Sequence, residues 1–411
     1  MNEIVELRID SLAFGGAGVA RWRGEVVFVA GVVPGERIRA RIWDQRKSFC
    51  RARLMEVLEA APDRIEPVCP FAVIPWSRPW AISPFCAGCS YQHLRYGAEV
   101  AAKQRQGTEV LVQAGMGSVP LAVEAADPPI GYRNKGVLHA AVEDGDCRLG
   151  YVQEDNRSIL DIPACPLWHP DLNGCLAELR AKPGFLRGFR DQGRLTLRHT
   201  ARDGAVWWRG SPKTSDPWLH ESTGLGELLV PRNAFFQVHP RMGGRLCEWV
   251  RDRIRDRPGE WVADLYCGVG VFGLLAAREG RRVVGIESHG QAIEAAVINA
   301  DRLGLDRSRV RWITGDAAHV WPEVSAGENP EAGMVVVDPP RTGLDPRLIE
   351  HLTARPVGTV LYISCGPDTL GRDLKGLAAG GYAVRSAMLM DLFPRTPHFE
   401  MAVELVRRTA S

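Results

Sequence analysis

Two rhythms of apolar residues divide the chain. Over the first sixty residues, apolar positions come in short runs that alternate with polar ones. Strands are predicted at residues 4–11, 18–22, 25–29, 37–43 and 49–59, with turns at Gly15-Gly16, Gly24 and Pro34-Gly35. From residue 231 the period lengthens and apolar strands alternate with helices. Strands are predicted at 261–267, 282–287, 310–314, 334–337 and 359–364, with helices at 271–279 and 291–303. Two last strands, near 384–390 and 400–407, leave no room for a helix between them, so they form a terminal antiparallel hairpin. Between the two regions lie a helical connector at 93–114 and, from Gly131-Tyr-Arg-Asn-Lys135 to about residue 230, short strands mixed with a helix. The expected organisation is a β-barrel at 1–60, a central α+β domain at 61–230 and a doubly wound α/β domain at 231–411.

A length of 411 residues fits that division, at a prior of roughly 150 residues per domain. No apolar run approaches the ~20 residues of a membrane span. The first ten residues carry Glu3, Glu6 and Asp10 and no apolar signal core, so a cytoplasmic protein without membrane contact is expected, as a monomer. The net charge of +2 balances 51 basic against 49 acidic residues, which confines any nucleic-acid surface to a local patch. One such patch is legible. Arg37, Arg39, Arg41, Arg46, Lys47, Arg51 and Arg53 face only Asp44 within seventeen residues, and the first three alternate with apolar residues. They share one sheet face beside Trp43 and Phe49, as a groove for single-stranded RNA would require. The alternative is a solvated strand face. The pattern resembles the TRAM domain, an RNA-binding barrel joined to RNA-modifying enzymes.

Four of the ten cysteines lie in loop-like sequence: Cys69, Cys86, Cys89 and Cys165. In a reducing compartment they are not expected to form disulfides. The Cys86-Ala-Gly-Cys89 spacing lets the chain turn back and offer two thiolates to one metal, and an all-thiolate set suits zinc or an iron–sulfur cluster. The Cys–Pro steps at Cys69 and Cys165 resemble iron–sulfur ligation sites and favour a [4Fe-4S] cluster. His93 is an alternative ligand or a packing residue.

In the last domain the first strand runs into Asp264-Leu-Tyr-Cys-Gly268-Val-Gly270-Val-Phe-Gly273. Glycines there let a ligand approach the backbone at the strand-to-helix turn, and the spacing also reads as a dinucleotide fingerprint. Glu287 ends the second strand, where a carboxylate can accept ribose hydroxyls, and Asp316 ends the third, where it can face an adenine. An NAD-dependent oxidoreductase would explain the glycines and Glu287. It would not explain Asp338-Pro-Pro-Arg341 at the end of the fourth strand, Ser364-Cys365-Gly-Pro at the end of the fifth, or the terminal hairpin. A cluster-bearing RNA-binding protein without catalysis would be expected to lack Cys365 or Glu400.

Asn233-Ala-Phe-Phe-Gln237, Asp264-Leu-Tyr-Cys-Gly-Val-Gly, Asp338-Pro-Pro-Arg-Thr-Gly-Leu, Tyr362-Ile-Ser-Cys365 and His398-Phe-Glu400 together resemble the RNA uracil-5-methyltransferase family. With the cysteines and the barrel, the resemblance spans nearly the whole chain. It implies a Rossmann-like methyltransferase domain in which Gln237, Tyr266, Glu287, Asp316 and Asp338 contact S-adenosylmethionine. It also implies Cys365 as nucleophile, Glu400 as base, and Cys69, Cys86, Cys89 and Cys165 as [4Fe-4S] ligands. The chemistry needs both groups: a thiolate added to carbon 6 of uracil makes carbon 5 nucleophilic, and the carbon-5 proton must leave before the thiol can. Arg341 beside the thiol would lower its pKa. The target base must leave its stack, so an RNA loop or bulge is expected. Cluster-bearing members space their first three cysteines more closely; here sixteen residues, Trp76 and Trp80 among them, separate Cys69 from Cys86. The barrel and cysteines resemble the members acting on 23S ribosomal RNA more than those acting on transfer RNA.

Overall fold

Alternating side chains at the N-terminus build a closed barrel from β1 (Ile4–Arg8), β2 (Ser11–Leu12), β3 (Gly18–Trp22), β4 (Glu25–Val29), β5 (Arg37–Gln45) and β6 (Phe49–Glu59). The single strand expected over 4–11 breaks at Ile9-Asp10. The break closes the barrel: β1 pairs with β5 while β2 turns away to pair with β3. The order β1-β5-β6-β4-β3-β2 contains one parallel pair, β4 with β6. With β1 and β2 read as one bent strand, this is a five-stranded barrel of the oligonucleotide-binding kind. Val27, Val29, Ile38 and Ala40 fill its interior with no exposed surface. The computed structural model describes residues 3–72, 86–153, 155–212 and 214–408.

The chain continues through α1 (Tyr96–Gln113) and β7 (Leu121–Glu124) into β8 (Lys135–Glu143), β9 (Asp146–Val152), β10 (Ile159–Asp161), α2 (Pro170–Ala181), β11 (Arg194–Thr200) and β12 (Gly204–Arg209). Strands β8 to β12 form an antiparallel sheet in the order β10-β9-β8-β11-β12. Helix α2 packs on it through Leu172, Leu176 and Leu179, with Trp168 in the same core. A separate hairpin, β13 (Trp218–Thr223) and β14 (Gly226–Pro231), follows.

The α/β unit comprises α3 (Pro240–Asp256), β15 (Trp261–Leu265), α4 (Val271–Arg278), β16 (Arg282–Glu287), α5 (Gly290–Arg302), β17 (Val310–Thr314), α6 (Ala317–Ser325), β18 (Gly333–Val337), α7 (Pro346–Ala354), β19 (Thr359–Ser364), α8 (Pro367–Ala379), β20 (Tyr382–Met390) and β21 (Glu400–Arg407). Its sheet runs β17-β16-β15-β18-β19-β21-β20-β7. The five central strands are parallel, and β21 is antiparallel to both β19 and β20. Strands β15, β18 and β19 are buried along their whole length, because helices cover both faces. The sheet also draws on residues outside 231–411. Strand β7 adds to β20 as a parallel edge strand, and Leu111 and Leu121 share a core with Leu374 of α8. A four-residue edge strand has too little periodicity to announce its partner in the sequence. Among the described residues no helix is long and apolar enough to cross a membrane.

Candidate active site and cysteine centre

The sheet register brings three reactive groups to one edge. Val337 pairs with Tyr362, so Asp338 follows the end of β18 level with the last turn of β19. Ser364 pairs with Met401, which sets Cys365 opposite Glu400, the first residue of β21. The Asp338-Pro-Pro-Arg341 loop is fixed from α8: Thr369 donates to the Arg341 carbonyl (3.1 Å), and the Leu344 N–H donates to Asp373 (2.7 Å). Asp373 is fully buried and also accepts from the Tyr362 hydroxyl at 2.7 Å.

The electrostatics of this edge are those of a protonated resting site. Burial, then Glu400 and Asp338, raise the Cys365 thiol to about 11, against the opposing pull of Arg341. Arg341 thus acts in the expected direction, but the net shift is upward, because two carboxyl groups and a low-dielectric wall outweigh one cation. Glu400 is 3% exposed, and burial, then Asp338, push its carboxyl well up, with Arg341 again opposing. Burial raises Asp338 to about 7. A carboxyl that resists ionisation is a strong proton acceptor once ionised, which suits a base.

The predicted donor-binding residues line the neighbouring strand ends. Tyr266 follows β15 with φ 64, a left-handed conformation uncommon for a bulky residue and typical of functional sites. Gly268 and Gly270 follow at φ 53 and 84. A Cβ on Gly268 would meet open space, whereas one on Gly270 would come within 2.7 Å of Trp312. The first glycine therefore leaves a cradle over the backbone and the second permits close packing beneath it. Glu287 accepts from the Gly268 N–H (3.1 Å) and the His289 N–H (2.8 Å) and so holds the loop. Gln237, in the loop before α3, has a buried side-chain oxygen with no hydrogen-bond partner among the described residues. Asp316 is the N-cap of α6, accepting from the Ala318 N–H at 3.0 Å, with an exposed carboxylate near Tyr266. The open cradle and the unpartnered Gln237 oxygen fit a bound nucleoside-type ligand such as S-adenosylmethionine. Asp264 was not singled out by sequence. It is fully buried, accepts from the Gly273 N–H at 2.7 Å and is raised by burial to about 8.

The four cysteines converge although the first and last lie ninety-six positions apart in the chain. Cys69, Cys86, Cys89 and Cys165 line one pocket with Phe71, Tyr151 and Ile162. A bridge between Ala72 and Cys86, with the Cys86 N–H donating to the Phe71 carbonyl at 2.7 Å, joins the two ends of the long insertion. The added residues are thereby spliced out and Cys69 returns to the pocket; residues 73–85, including Trp76 and Trp80, lie outside the described residues. The Gly88 N–H and the Gln92 amide point at the sulfurs of Cys86 and Cys89 (3.4 and 3.3 Å), as donors to metal-bound thiolates do. An all-cysteine set walled by apolar and aromatic side chains suits an iron–sulfur cluster or zinc. His93 is not among the lining residues. It is 2% exposed and its ring bonds the Val32 carbonyl of the barrel at 3.1 Å. A second group, His169, Asp171 and His199, has its donor atoms within 4.8 Å. Its imidazoles stack at 3.8 Å and 14°, so their lone pairs run side by side rather than converging.

The barrel face differs from its sequence reading. Arg37, Arg39 and Arg41 do share the outer face of β5, but Arg37 is paired with Glu6 and Glu59, and Arg39 with Glu6 and Glu56. Their carboxylate partners come from β1 and β6, whose register a local charge count does not see. Further along, Arg41 opposes Arg53 across the strands and Arg53 lies over exposed Trp43, 5.2 Å from its ring centre.

A family model described as tRNA (Uracil-5-)-methyltransferase matches residues 327–408. The chain is 32% identical to the 23S rRNA (uracil(1939)-C(5))-methyltransferase RlmD of Chromohalobacter salexigens, over 98% of this chain and 89% of that one. It is 30% identical to an uncharacterized RNA methyltransferase of Gloeobacter violaceus, over 99% of this chain and 97% of that one. Among solved structures, the Pyrococcus abyssi tRNA (uracil-54, C5)-methyltransferase in complex with S-adenosyl-L-homocysteine superposes with a TM-score of 0.73. It covers 99% of this chain and 100% of its own, and at 22% identity the likeness is one of fold. The full-length similarity, the doubly wound sheet with its terminal hairpin, and the cysteine and carboxyl groups meeting at its edge agree: this chain belongs to the RNA uracil-5-methyltransferase family, enzymes that transfer a methyl group from S-adenosylmethionine to carbon 5 of uracil in RNA.

Proposed function

We propose that this methyltransferase forms 5-methyluridine in 23S ribosomal RNA, with Cys365 as nucleophile and Glu400 as base. The observation that carries the chemistry is the β19–β21 register, which sets Cys365, one residue past β19, opposite Glu400 and beside Asp338 and Arg341. With the Cys365 and Glu400 protons lost to solvent, the Cys365 thiolate bonds to carbon 6 of the flipped-out uracil, and the C5–C6 electron pair moves toward the carbonyl at carbon 4. S-adenosylmethionine, when bound, supplies the methyl group that carbon 5 takes up. Glu400 then accepts the carbon-5 proton, the double bond re-forms and the sulfur leaves. Gln237, Tyr266, Glu287, Asp316 and Asp338 hold the methyl donor. Cys69, Cys86, Cys89 and Cys165 hold a [4Fe-4S] cluster, and the barrel is a TRAM-type grip on RNA.

The ribosomal target is supported by the end-to-end similarity to the RlmD protein. Transfer RNA is the second reading, supported by the description of the family model matched over 327–408. Labelled methyl donor incubated with 23S RNA and with transfer RNA separately, followed by mapping of 5-methyluridine, decides between them. Label at one uridine of 23S RNA is expected; label in transfer RNA alone would overturn the assignment. Cys365→Ala should abolish transfer while S-adenosylhomocysteine still binds, and normal turnover in that variant would remove Cys365 from the mechanism.

A further inference from the structure

Glu400 stands at the end of a hairpin connection that is long for its kind. Met390 pairs with Glu400, so residues 391–399 form the loop between β20 and β21, where hairpin loops are usually of about two to five residues. Such a loop should fray, yet it delivers a group that must meet one proton of one base. In this chain three consecutive carbonyls of the loop are held by donors from elsewhere. Lys103 of α1 donates to the Phe393 carbonyl (3.2 Å). The Tyr132 hydroxyl donates to that of Pro394 (3.1 Å). The Ser90 and Tyr91 N–H groups donate to that of Arg395 (3.0 and 3.2 Å).

The same groups are locked from behind. Lys103 is wholly buried and bridges Glu99 and Asp391, both at 2.8 Å and both wholly buried. The Arg395 N–H donates to Glu99 at 2.7 Å, with the residue in the left-handed region at φ 67. A strained non-glycine residue persists only where its surroundings fix it. Two of the three anchors lead to the cysteine pocket. Ser90 directly follows Cys89, and the residues flanking Tyr132 bond the carbonyls of Pro166 and Leu167, just beyond Cys165.

We propose that Tyr132 and Lys103 are positioning residues for the elimination step: by holding the carbonyls of residues 393–395 they fix Glu400 at the sheet edge, and they tie its loop to the cysteine loop. The inference rests on Glu400 being the base. A loosened loop leaves Cys365 in place at the end of β19, so addition to carbon 6 and methyl uptake continue while removal of the carbon-5 proton slows. The signature is a change in partition: covalent RNA–protein adduct accumulates during turnover.

The test uses the full-length, cluster-loaded enzyme and its RNA substrate, with denaturing gels for the adduct, single-turnover methyl transfer, steady-state rate and S-adenosylhomocysteine affinity. Tyr132→Phe removes one hydroxyl and keeps the ring, so it preserves the fold. It is expected to lower the steady-state rate about threefold to tenfold, the worth of one hydrogen bond. Adduct should rise, with single-turnover transfer and S-adenosylhomocysteine affinity unchanged. Lys103→Met should show the same partition more strongly; if it does not fold, Tyr132→Phe decides alone. Wild-type turnover in Tyr132→Phe, or a loss of methyl transfer without adduct, overturns the proposal. Glu400→Gln separates the two readings. If it traps adduct and Tyr132→Phe does not, the clamp fails and the base assignment stands. If Glu400→Gln traps none, both fail together.

Discussion

The pH at which Cys365 alkylates tests how the active-site edge is balanced. Burial, Glu400 and Asp338 carry its thiol from an ordinary 9.0 to about 11, with Arg341 opposing. The thiolate is the reactive form, so alkylation follows its fraction. At pH 8 a thiol with a pKa near 9 is about 10% ionised and one near 11 about 0.1%, a difference of about 100-fold in rate at equal access. The rate should therefore climb about tenfold per pH unit through the neutral and mildly alkaline range, levelling only near the raised pKa. Two substitutions should move this limb in opposite directions. Glu400→Gln removes the larger of the two carboxyl contributions, which acts once Glu400 is ionised, so the alkaline end of the limb shifts to lower pH. Arg341→Met removes the cation that favours the thiolate, so the limb shifts to higher pH and alkylation slows. Brief iodoacetamide pulses on the full-length protein across a pH series, with the Cys365 peptide quantified by mass spectrometry, give all three curves. A wild-type limb that levels near 9, or an Arg341→Met variant that alkylates faster than wild type, would refute this account.

Protein purified without oxygen should carry about four irons if the four thiolates hold the proposed [4Fe-4S] cluster; Cys69→Ser should lower the iron content, and stoichiometric zinc in its place would contradict the assignment. In the barrel, Arg37→Ala with Arg39→Ala should leave the salt dependence of RNA binding nearly unchanged, because Glu6, Glu56 and Glu59 already neutralise both. Arg41→Ala should flatten that slope by about 0.7 if it meets one phosphate, and Trp43→Ala should cost about 1–3 kcal/mol if a base stacks on it; the reverse pattern in filter-binding series would return the grip to Arg37 and Arg39. Gly270→Ala should abolish S-adenosylhomocysteine binding in calorimetry, because its Cβ would meet Trp312 at 2.7 Å in a left-handed conformation; full affinity would show that Trp312 can yield.

The legible features are those written as short-range patterns. The alternation in β3, β4 and β6 and the apolar runs of β16, β17, β19 and β21 have the limits expected from sequence. Strand ends carry the ligand-facing residues in such sheets, so the order of strands and motifs along the chain is enough to assign Asp338, Cys365 and Glu400 to one edge. What stays hidden depends on contacts far apart in sequence. Lys103 and Asp391 are separated by 288 positions, and nothing local marks a lysine in an amphipathic helix as wholly buried. The charge count over residues 37–53 misses Glu6, which arrives on another strand. The spacing of Cys69 looks too long because a loop closed by a two-residue bridge has no sequence signature.

The three parts of the chain meet at the connection that ends in Glu400. Phe14, in the turn after β2 of the barrel, packs edge-on against His398 and Phe399 at ring distances of 6.4 and 6.0 Å. Ser90 and Tyr91, next to the cysteine pocket, hold Arg395. The methyltransferase sheet receives both through Met390 and Glu400. A carboxyl proposed as a base and carried on a nine-residue loop would ordinarily be a liability, since each rotatable residue must be ordered at about 1–2 kcal/mol of backbone entropy. Here the ordering is supplied by the barrel and the cysteine loop, the units proposed above to grip RNA and to hold a cluster. Removal of either unit strips one wall from the loop that presents Glu400. That explains why barrel and cysteine loop pack on this connection rather than elsewhere on the sheet. It also separates two consequences of deleting residues 1–60: weaker RNA binding, which added RNA can overcome, and a slower elimination step, which saturating RNA cannot restore.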